Sequence, residues 1–262
     1  MIKRLVKSKS DIENLSRLKT SIPNLQSNLN YRGIVVNKPW GYEYLMFENQ
    51  HTAVWILYLR SGHATSMHCH PNKRSSLVVI SGRVVLSSLE GWYELKEGGS
   101  AIIDEVVFHS SKATSKKGAL VMEIESPPNK KDLARLKDDY GRENLEYEGE
   151  KMMSKNVSKY EYIDFHKIRV DRRCEKVIRG CSLTLYWHVD KFGGNINDKL
   201  RNESGNLIGI LAGELRTKNG NVILGTGDIG LLRDIQNQSE LLARHDIIYL
   251  IISHSVSGKE KY

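Results

Sequence analysis

The segment GHATSMHCHPNKRSSLVVISG, residues 62–82, decides how this chain folds. In it, His68 and His70 stand one residue apart, ahead of a continuous apolar run. Side chains alternate along an extended strand, so both imidazoles point to the same side. Neutral imidazole is the commonest metal ligand in proteins, and a third histidine from another strand would complete three ligands with one position open. The segment therefore predicts a histidine-based metal site on a β-strand.

The glycine and histidine spacing of this segment resembles the first motif of the cupin superfamily, G-x5-H-x-H-x3,4-E-x6-G. Gly62, His68, His70 and Gly82 match the motif, and Ser75 stands where the motif has Glu. The resemblance implies a jelly-roll β-barrel. Many short strand-like runs separated by glycine-containing turns favour the same architecture.

The second cupin motif, G-x5-P-x-G-x2-H, follows in register. Gly98 and His109 match it, whereas Asp104 and Val106 replace its Pro and Gly. The resemblance implies that His109 joins the two histidines of the first motif in holding one divalent metal ion. Zinc, iron, manganese and nickel all suit such ligands. Because the motif's carboxylate is missing, the ion would keep its full charge, which favours direct binding of an anionic substrate.

Two further strings resemble bacterial type II mannose-6-phosphate isomerase cupins. Residues 38–43 read KPWGYE, and residues 132–142 contain DL-x-R-x-x-DDYGR. The resemblance implies a metal-dependent enzyme of carbohydrate or sugar-phosphate metabolism, of isomerase or epimerase type, with surface-polysaccharide precursor synthesis as one setting. The spacing of Leu133 and Leu136 predicts a helix over residues 131–140.

Aldose–ketose isomerisation needs a metal to polarise the substrate oxygens and a base to move a proton between carbons. Asp104 and Glu105 are the nearest carboxylates in sequence to His109, and His63 is a candidate proton shuttle. Two other functions stay open. One is a non-haem iron dioxygenase with three histidine ligands, and the other is a non-catalytic cupin that binds a sugar or an anion.

The predicted fold class is all-β, with two cupin barrels. Residues 1–30 are expected to form an N-terminal helical extension, residues 31–145 the metal-binding barrel, residues 146–159 a linker and residues 160–262 a degenerate barrel. The extension has apolar residues at helical spacing, and Ser10 or Asp11 is its expected N-cap.

An internal repeat supports the second barrel. Gly193 follows Gly62 by 131 residues, and Gly213 follows Gly82 by the same interval. An interval of this length repeated along the chain is typical of duplicated domains.

At the same offset Lys199 and Arg201 replace the two histidines of the first motif. Cationic side chains cannot bind a metal ion as neutral imidazoles do. The second barrel is therefore expected to hold no metal there. It serves either as a structural partner or, through Lys199 and Arg201, as an anion-binding site.

The amino-acid composition limits the classes of molecule that this protein is expected to bind. The 262 residues are 40% apolar and 27% charged, as in globular proteins, and 39 basic against 31 acidic residues give a net charge of +8. A small anionic, sugar-like substrate fits this charge, and no nucleic-acid-binding signature accompanies it. The sequence contains no signal-peptide or membrane-spanning pattern and has an odd number of cysteines. We therefore expect a cytoplasmic protein without a membrane partner, and a homodimer.

Overall fold

The computed structural model describes residues 2–18, 30–142, 150–169, 172–189, 196–238 and 240–254. The chain divides into two compact units, Met1–His166 and Lys167–Tyr262. Strands dominate both units, which confirms the predicted all-β class. Among the described helices, none is long and apolar enough to cross a membrane.

The first unit consists of two β-sheets. Its strands are β1 (Ile2–Leu5), β2 (Val35–Lys38), β3 (Gly41–Glu48), β4 (Ala53–Leu59), β5 (Met67–Cys69), β6 (Arg74–Ser81), β7 (Arg83–Ser88), β8 (Trp92–Lys96), β9 (Ser100–Ile103), β10 (His109–Ala113), β11 (Ala119–Ser126), β12 (Ala134–Lys137) and β13 (Met153–Ser154). The larger sheet has the order β1-β9-β6-β11-β4-β3-β2-β13, and the smaller has the order β12-β5-β10-β7-β8. This is a jelly-roll arrangement with the core between the sheets.

Every second side chain of the barrel strands contributes to the apolar core. Leu45 on β3, Trp55 and Leu57 on β4, Val79 on β6 and Val121 on β11 all belong to one buried apolar cluster. Because successive side chains of a strand point to opposite faces, residues two apart on these strands also face the barrel interior. This register decides which polar side chains enter the barrel.

The N-terminal extension starts with a strand and continues as a helix. β1 pairs in parallel with β9, and α1 spans Lys9–Arg17. The cap is Ser8, not Ser10 or Asp11 as predicted. Ser8 Oγ accepts a hydrogen bond of 3.1 Å from the Asp11 amide, while the Asp11 carboxylate accepts one of 2.9 Å from the Ser8 amide. This reciprocal pair is a capping box, in which the acidic residue belongs three positions inside the helix.

The predicted helix over residues 131–140 is wrong. Ala134–Lys137 form β12, which pairs with β5 so that Ala134 lies opposite Cys69 and Arg135 opposite His68. An unpaired edge of β5 would leave backbone groups without partners, and β12 satisfies them. Pairing with a distant strand thus overrides the local helical spacing.

The segment predicted as linker is partly built into the first sheet. Residues 143–149 lie outside the described residues, while short 3-10 helices occupy Glu150–Met152 and Val157–Lys159. Between them, β13 pairs with β2. The second unit begins at Lys167, later than the predicted residue 160. The reason is that the segment up to His166 contacts β3, for example through the 2.8 Å hydrogen bond from the Phe165 amide to the Met46 carbonyl.

The second unit is a smaller antiparallel sheet. Its elements are β14 (Arg173–Ile178), β15 (Cys181–His188), α2 (Asn197–Arg201), β16 (Leu207–Thr217), β17 (Val222–Leu224), β18 (Ile229–Leu231), α3 (Leu232–Gln236) and β19 (Leu241–His254). The order is β14-β15-β19-β16-β17, and β18 pairs with β16. The run β18-β16-β19-β15-β14 repeats the run β9-β6-β11-β4-β3 of the first unit.

A turn hydrogen bond of the first unit has a counterpart in the second, with its acceptor at the interval of 131 residues and its donor at 129. The Gly98 amide donates to the Val79 carbonyl over 3.0 Å, and the Gly227 amide donates to the Ile210 carbonyl over 2.7 Å. Gly82 and Gly213 both have positive φ, 84° and 77°. Gly193, the remaining landmark, lies outside the described residues.

Lys199 and Arg201 do not lie on a strand, as their alignment with His68 and His70 would require. Both residues lie on helix α2 and are exposed, and Lys199 Nζ is 2.7 Å from Nδ1 of His188. The offset of 131 therefore does not superimpose them on a histidine-bearing strand. The described part of the second unit has no counterpart of β5 in its sheet.

Candidate metal centre

Two strands of the smaller sheet bring the three predicted histidines together. His68 on β5 is the direct cross-strand partner of His109, the first residue of β10, and His70 follows β5. Ring centroids are 4.5 Å apart for His68 and His109, 5.0 Å for His68 and His70, and 5.5 Å for His70 and His109. One ring nitrogen from each lies within 4.8 Å of the others.

Backbone carbonyls fix the orientation of all three imidazoles. Nδ1 of His68 lies 2.8 Å from the Ser66 carbonyl oxygen, and Nδ1 of His109 lies 2.9 Å from that of Val107. Nδ1 of His70 contacts the Asp132 carbonyl oxygen in the same way, at 2.7 Å. A carbonyl oxygen only accepts, so each Nδ1 carries the proton and each Nε2 keeps its lone pair. Three Nε2 atoms are thus available as ligands.

The surroundings keep the imidazoles of His68 and His109 neutral. Burial, with the other two histidines, lowers the pKa of His68 well below its usual value. Burial and the neighbouring His70 lower the pKa of His109 to about 4. Neutral imidazole is the form that binds a metal ion.

A carboxylate that sequence reasoning missed faces this cluster. Glu123 on β11 places Oε1 3.8 Å from Nε2 of His70, and both side chains are buried. Burial would raise the pKa of Glu123, but neighbouring positive charges, among them the ammonium groups of Lys130 and Lys73, outweigh burial and hold that pKa well below its usual value. The carboxylate is therefore ionised.

A buried charge network continues from Glu123 along the barrel. Lys73 Nζ lies 2.8 Å from Glu125, and Lys130 Nζ lies 3.1 Å from Glu43 and 3.8 Å from Glu125. Lys130 also lies over the Trp55 ring, 3.7 Å from its centroid. Buried charges persist only when they are paired, and each of these has an opposite charge in contact.

These groups line a cavity of ≈ 60 Å³ beside the histidines, room for an ion and a few waters. Its cationic side chains are Lys38, Lys73, Lys130, Arg135 and Arg142. Its acidic side chains are Glu43, Glu123 and Glu125. Arg142 is paired with Asp138 at 2.6 Å, and the other four cationic groups outnumber the three carboxylates, which suits an anionic ligand.

The two strings flanking the histidine motifs build this cavity. Lys38 and Glu43, the ends of the first string, form a buried ion pair at 3.4 Å, and Trp40 lines the cavity between them. The second string contributes Arg135 and Arg142 to the lining. Residues far apart in sequence thus converge on one site.

The predicted proton-transfer residues lie elsewhere. Asp104 and Glu105 are in the turn between β9 and β10, where Asp104 pairs with Arg4 at 3.3 Å and Glu105 is exposed. His63 stacks at 6.5 Å on the Tyr140 ring. None of the three is among the residues that line the cavity.

One sequence signal would have found the missed carboxylates. Glu123 and Glu125 alternate with apolar residues in a strand that is apolar on both faces, which places both in the interior. The buried lysines carry no comparable local signal, because their burial depends on the register of distant strands.

The residues present fit a divalent metal ion. Three Nε2 atoms converge, and Nε2 of His70 is buried with no hydrogen-bond partner among the described residues. Three imidazole nitrogens with a neighbouring carboxylate are a donor set that zinc, iron, manganese and nickel accept. The metal's identity does not follow from these donors.

Comparisons with known proteins found similarity among solved structures alone. No protein-family model and no curated protein matches the sequence. Among solved structures, KdgF from a Halomonas species is similar at 14% identity and a TM-score of 0.32, with 42% of this chain and 94% of that chain covered. CapF, a capsular polysaccharide assembling protein from Staphylococcus aureus, is similar at 15% identity and a TM-score of 0.36, with 40% and 34% covered.

A cupin-superfamily sugar phosphate isomerase from Silicibacter pomeroyi is similar at 14% identity and a TM-score of 0.32, with 40% of this chain and 69% of that chain covered. The match to CapF spans about a third of the CapF chain. Identities of this size concern the fold and not the activity. The histidine cluster itself is compatible with a divalent metal ion.

Proposed function

We propose that this protein is a metal-dependent cupin enzyme of carbohydrate metabolism, with isomerase- or epimerase-type chemistry on an anionic, sugar-phosphate-like substrate. The observation that carries the proposal is the convergence of His68, His70 and His109 beside a cavity with a cationic lining. The resemblance to mannose-6-phosphate isomerase cupins supports the reaction type.

The residues have distinct roles in this proposal. The three imidazoles hold a divalent ion, which when bound supplies Lewis-acid polarisation of substrate oxygens. Lys38, Arg135 and the other cationic groups of the lining attract the anionic part of the substrate and orient it. Proton transfer between carbons falls to a carboxylate of the cavity, because the turn residues Asp104 and Glu105 do not line it.

The first test is elemental analysis of protein purified without added metal, with His70→Ala and, as control, the exposed His51→Ala. One equivalent of metal in the wild type and in His51→Ala, and none in His70→Ala, is expected. Absence of metal from the wild type even after reconstitution would overturn the proposal and favour a non-catalytic binding cupin.

The second test separates the reaction classes. Metal-loaded protein is incubated with a panel of aldose and ketose phosphates in D₂O, and deuterium incorporation at C1 or C2 is followed by NMR. Exchange that requires His70 supports the isomerase proposal. Oxygen uptake by the iron-loaded protein without such exchange would replace it with the dioxygenase.

The proposal also includes the oligomeric state and the cellular location of the protein. A homodimer located in the cytoplasm suits a soluble enzyme of precursor synthesis. Light scattering on the purified full chain tests the dimer, and a mass of 29.9 kDa, that of a single chain, would contradict it.

A further inference from the structure

We propose that Glu123 is a fourth protein ligand of the metal ion, and that this carboxylate reaches the ion from β11 and not from the strand that carries the histidine pair. The inference rests on the proposed metal centre. It adds to that centre a charged ligand that the sequence motifs do not contain.

The first argument is distance. Oε1 of Glu123 and Nε2 of His70 are 3.8 Å apart, which is too far for a direct hydrogen bond. Two donor atoms on one tetrahedral ion stand ~3.4 Å apart, given metal–ligand bonds of about 2.0–2.2 Å. The observed separation is close to that of two ligands that share an ion.

The second argument is burial. Nε2 of His70 is inaccessible to solvent and has no hydrogen-bond partner among the described residues. Buried polar atoms without any partner are rare in native proteins, and a carboxylate inside an apolar barrel needs a counter-charge. A cation between Glu123 and His70 satisfies both side chains at once.

The third argument is that the neighbouring oxygen-bearing side chains, Glu125 and Ser75, are less suited than Glu123 to bind the ion. Ligand atoms of His70, Glu123 and Glu125 lie within 4.8 Å of one another, but Glu125 is paired with Lys73 at 2.8 Å and with Lys130 at 3.8 Å. Ser75, directly opposite Glu125 in the β6–β11 register, offers only a hydroxyl. Glu123 lies opposite Leu77 and faces the histidines.

The assignment has a chemical consequence. Three neutral nitrogens and one carboxylate reduce the net charge of a divalent centre from +2 to +1. A ligand set of this kind binds the ion more firmly than three imidazoles alone, and a substrate oxygen then binds as a fifth ligand by expansion of the coordination sphere.

The test uses Co²⁺ as a probe in the full chain, because its visible absorption spectrum reports the ligand set independently of turnover. Wild type, Glu123→Gln, Glu123→Asp and Glu125→Gln are titrated, and melting temperatures of the metal-free forms show whether each variant folds. The comparison variant is Glu125→Gln, which removes the same charge from the same strand face two residues away; because it leaves Lys73 unbalanced and lowers stability, only its Co²⁺ spectrum is compared.

Glu123→Gln is expected to bind Co²⁺ at least about tenfold more weakly and with an altered spectrum, by analogy with other losses of metal-site groups. Glu123→Asp, which keeps the charge but is one methylene shorter, should also alter the spectrum. Glu125→Gln should retain the wild-type spectrum.

A folded Glu123→Gln protein with wild-type affinity and spectrum would overturn this inference and leave the three-histidine centre intact. Should the wild type bind no Co²⁺, the proposed centre itself would fail. The two failures are therefore distinguishable.

Discussion

The backbone carbonyl of Asp132 accepts a hydrogen bond of 2.7 Å from Nδ1 of His70. The same residue uses its carboxylate to accept hydrogen bonds from Asn72, at 2.9 Å from the backbone amide and 2.8 Å from the side-chain amide. Asp132 thus ties the loop before β12 to the turn after the histidine pair. This contact positions one imidazole of the candidate centre through a residue 62 positions away.

Asp132→Ala keeps the carbonyl that contacts His70 but removes the carboxylate that anchors it to Asn72, so metal binding should weaken, by up to about tenfold, the lower end for groups that orient a metal-bound histidine. It should also lower the free energy of unfolding by about 1 kcal/mol, since two hydrogen bonds from the exposed Asn72 are lost. Chelator competition and thermal unfolding measure the two effects. Asp139→Ala, at an exposed neighbouring position, is the control. Wild-type metal affinity in Asp132→Ala would show that the anchoring of Asp132 by Asn72 does not help to position His70.

The helix α1 also reaches the centre through one side chain. Oδ1 of Asp11 accepts a hydrogen bond of 2.9 Å from the Phe108 amide, directly before His109. Asp11→Ala should therefore destabilise the protein by about 1–3 kcal/mol and weaken metal binding. Ser8→Ala removes only the helix cap and should cost about 1 kcal/mol without changing metal affinity. Equal effects of both variants on chelator competition would contradict the role given to Asp11.

The histidine cluster was predictable because it depends on the local spacing of His68 and His70 and on the position of His109 in the second motif. The charged network was not, since burial of Lys73 depends on the distant β11 that carries its partner Glu125. β12 was missed for the same kind of reason. The spacing of its leucines suits a helix, and only the open edge of β5, contributed by another part of the chain, decides for a strand.

The turn between β6 and β7 needs glycine for two reasons. Gly82 has a φ of 84°, and a Cβ there would meet the Gly118 carbonyl oxygen at 2.6 Å. Gly33 has a φ of 69° with nothing within 4 Å of an added Cβ. Gly33→Ala should cost about 1 kcal/mol from backbone strain alone, and Gly82→Ala clearly more, because overpacking adds to it. Denaturant unfolding compares them, and similar losses would contradict the close approach.

The ionisation of Asp138 should make the free energy of unfolding depend on pH. Burial raises its pKa, but hydrogen bonds from the side chain and backbone of Arg142 outweigh burial and lower that pKa below its usual value. A depressed folded pKa stabilises the protein above the unfolded pKa, about 3.9, and this contribution is lost as the pH falls through the folded pKa.

Asp138→Asn should therefore be less stable than wild type at pH 7, and the difference should shrink below about pH 4. Urea unfolding of metal-free protein from pH 7 to pH 3 measures this. Asp139→Asn, which changes an exposed carboxylate, should follow the wild-type profile. A stability difference that stays constant down to pH 3 would show that Asp138 titrates normally.

The buried Lys73–Glu125 pair should be strongly coupled. Lys73→Met leaves Glu125 with Lys130 at 3.8 Å in place of its 2.8 Å partner, and Glu125→Gln leaves Lys73 unbalanced. Each change should cost about 3–5 kcal/mol, because an uncompensated charge stays buried. The double variant should destabilise the protein much less than the sum of the two single changes.

The control is the exposed pair of Glu13 and Arg17, 3.8 Å apart, which should show a coupling energy of at most about 0.5 kcal/mol. Urea unfolding of the four proteins in each cycle gives both coupling energies, and additive losses at Lys73 and Glu125 would mean that water or other groups compensate each charge.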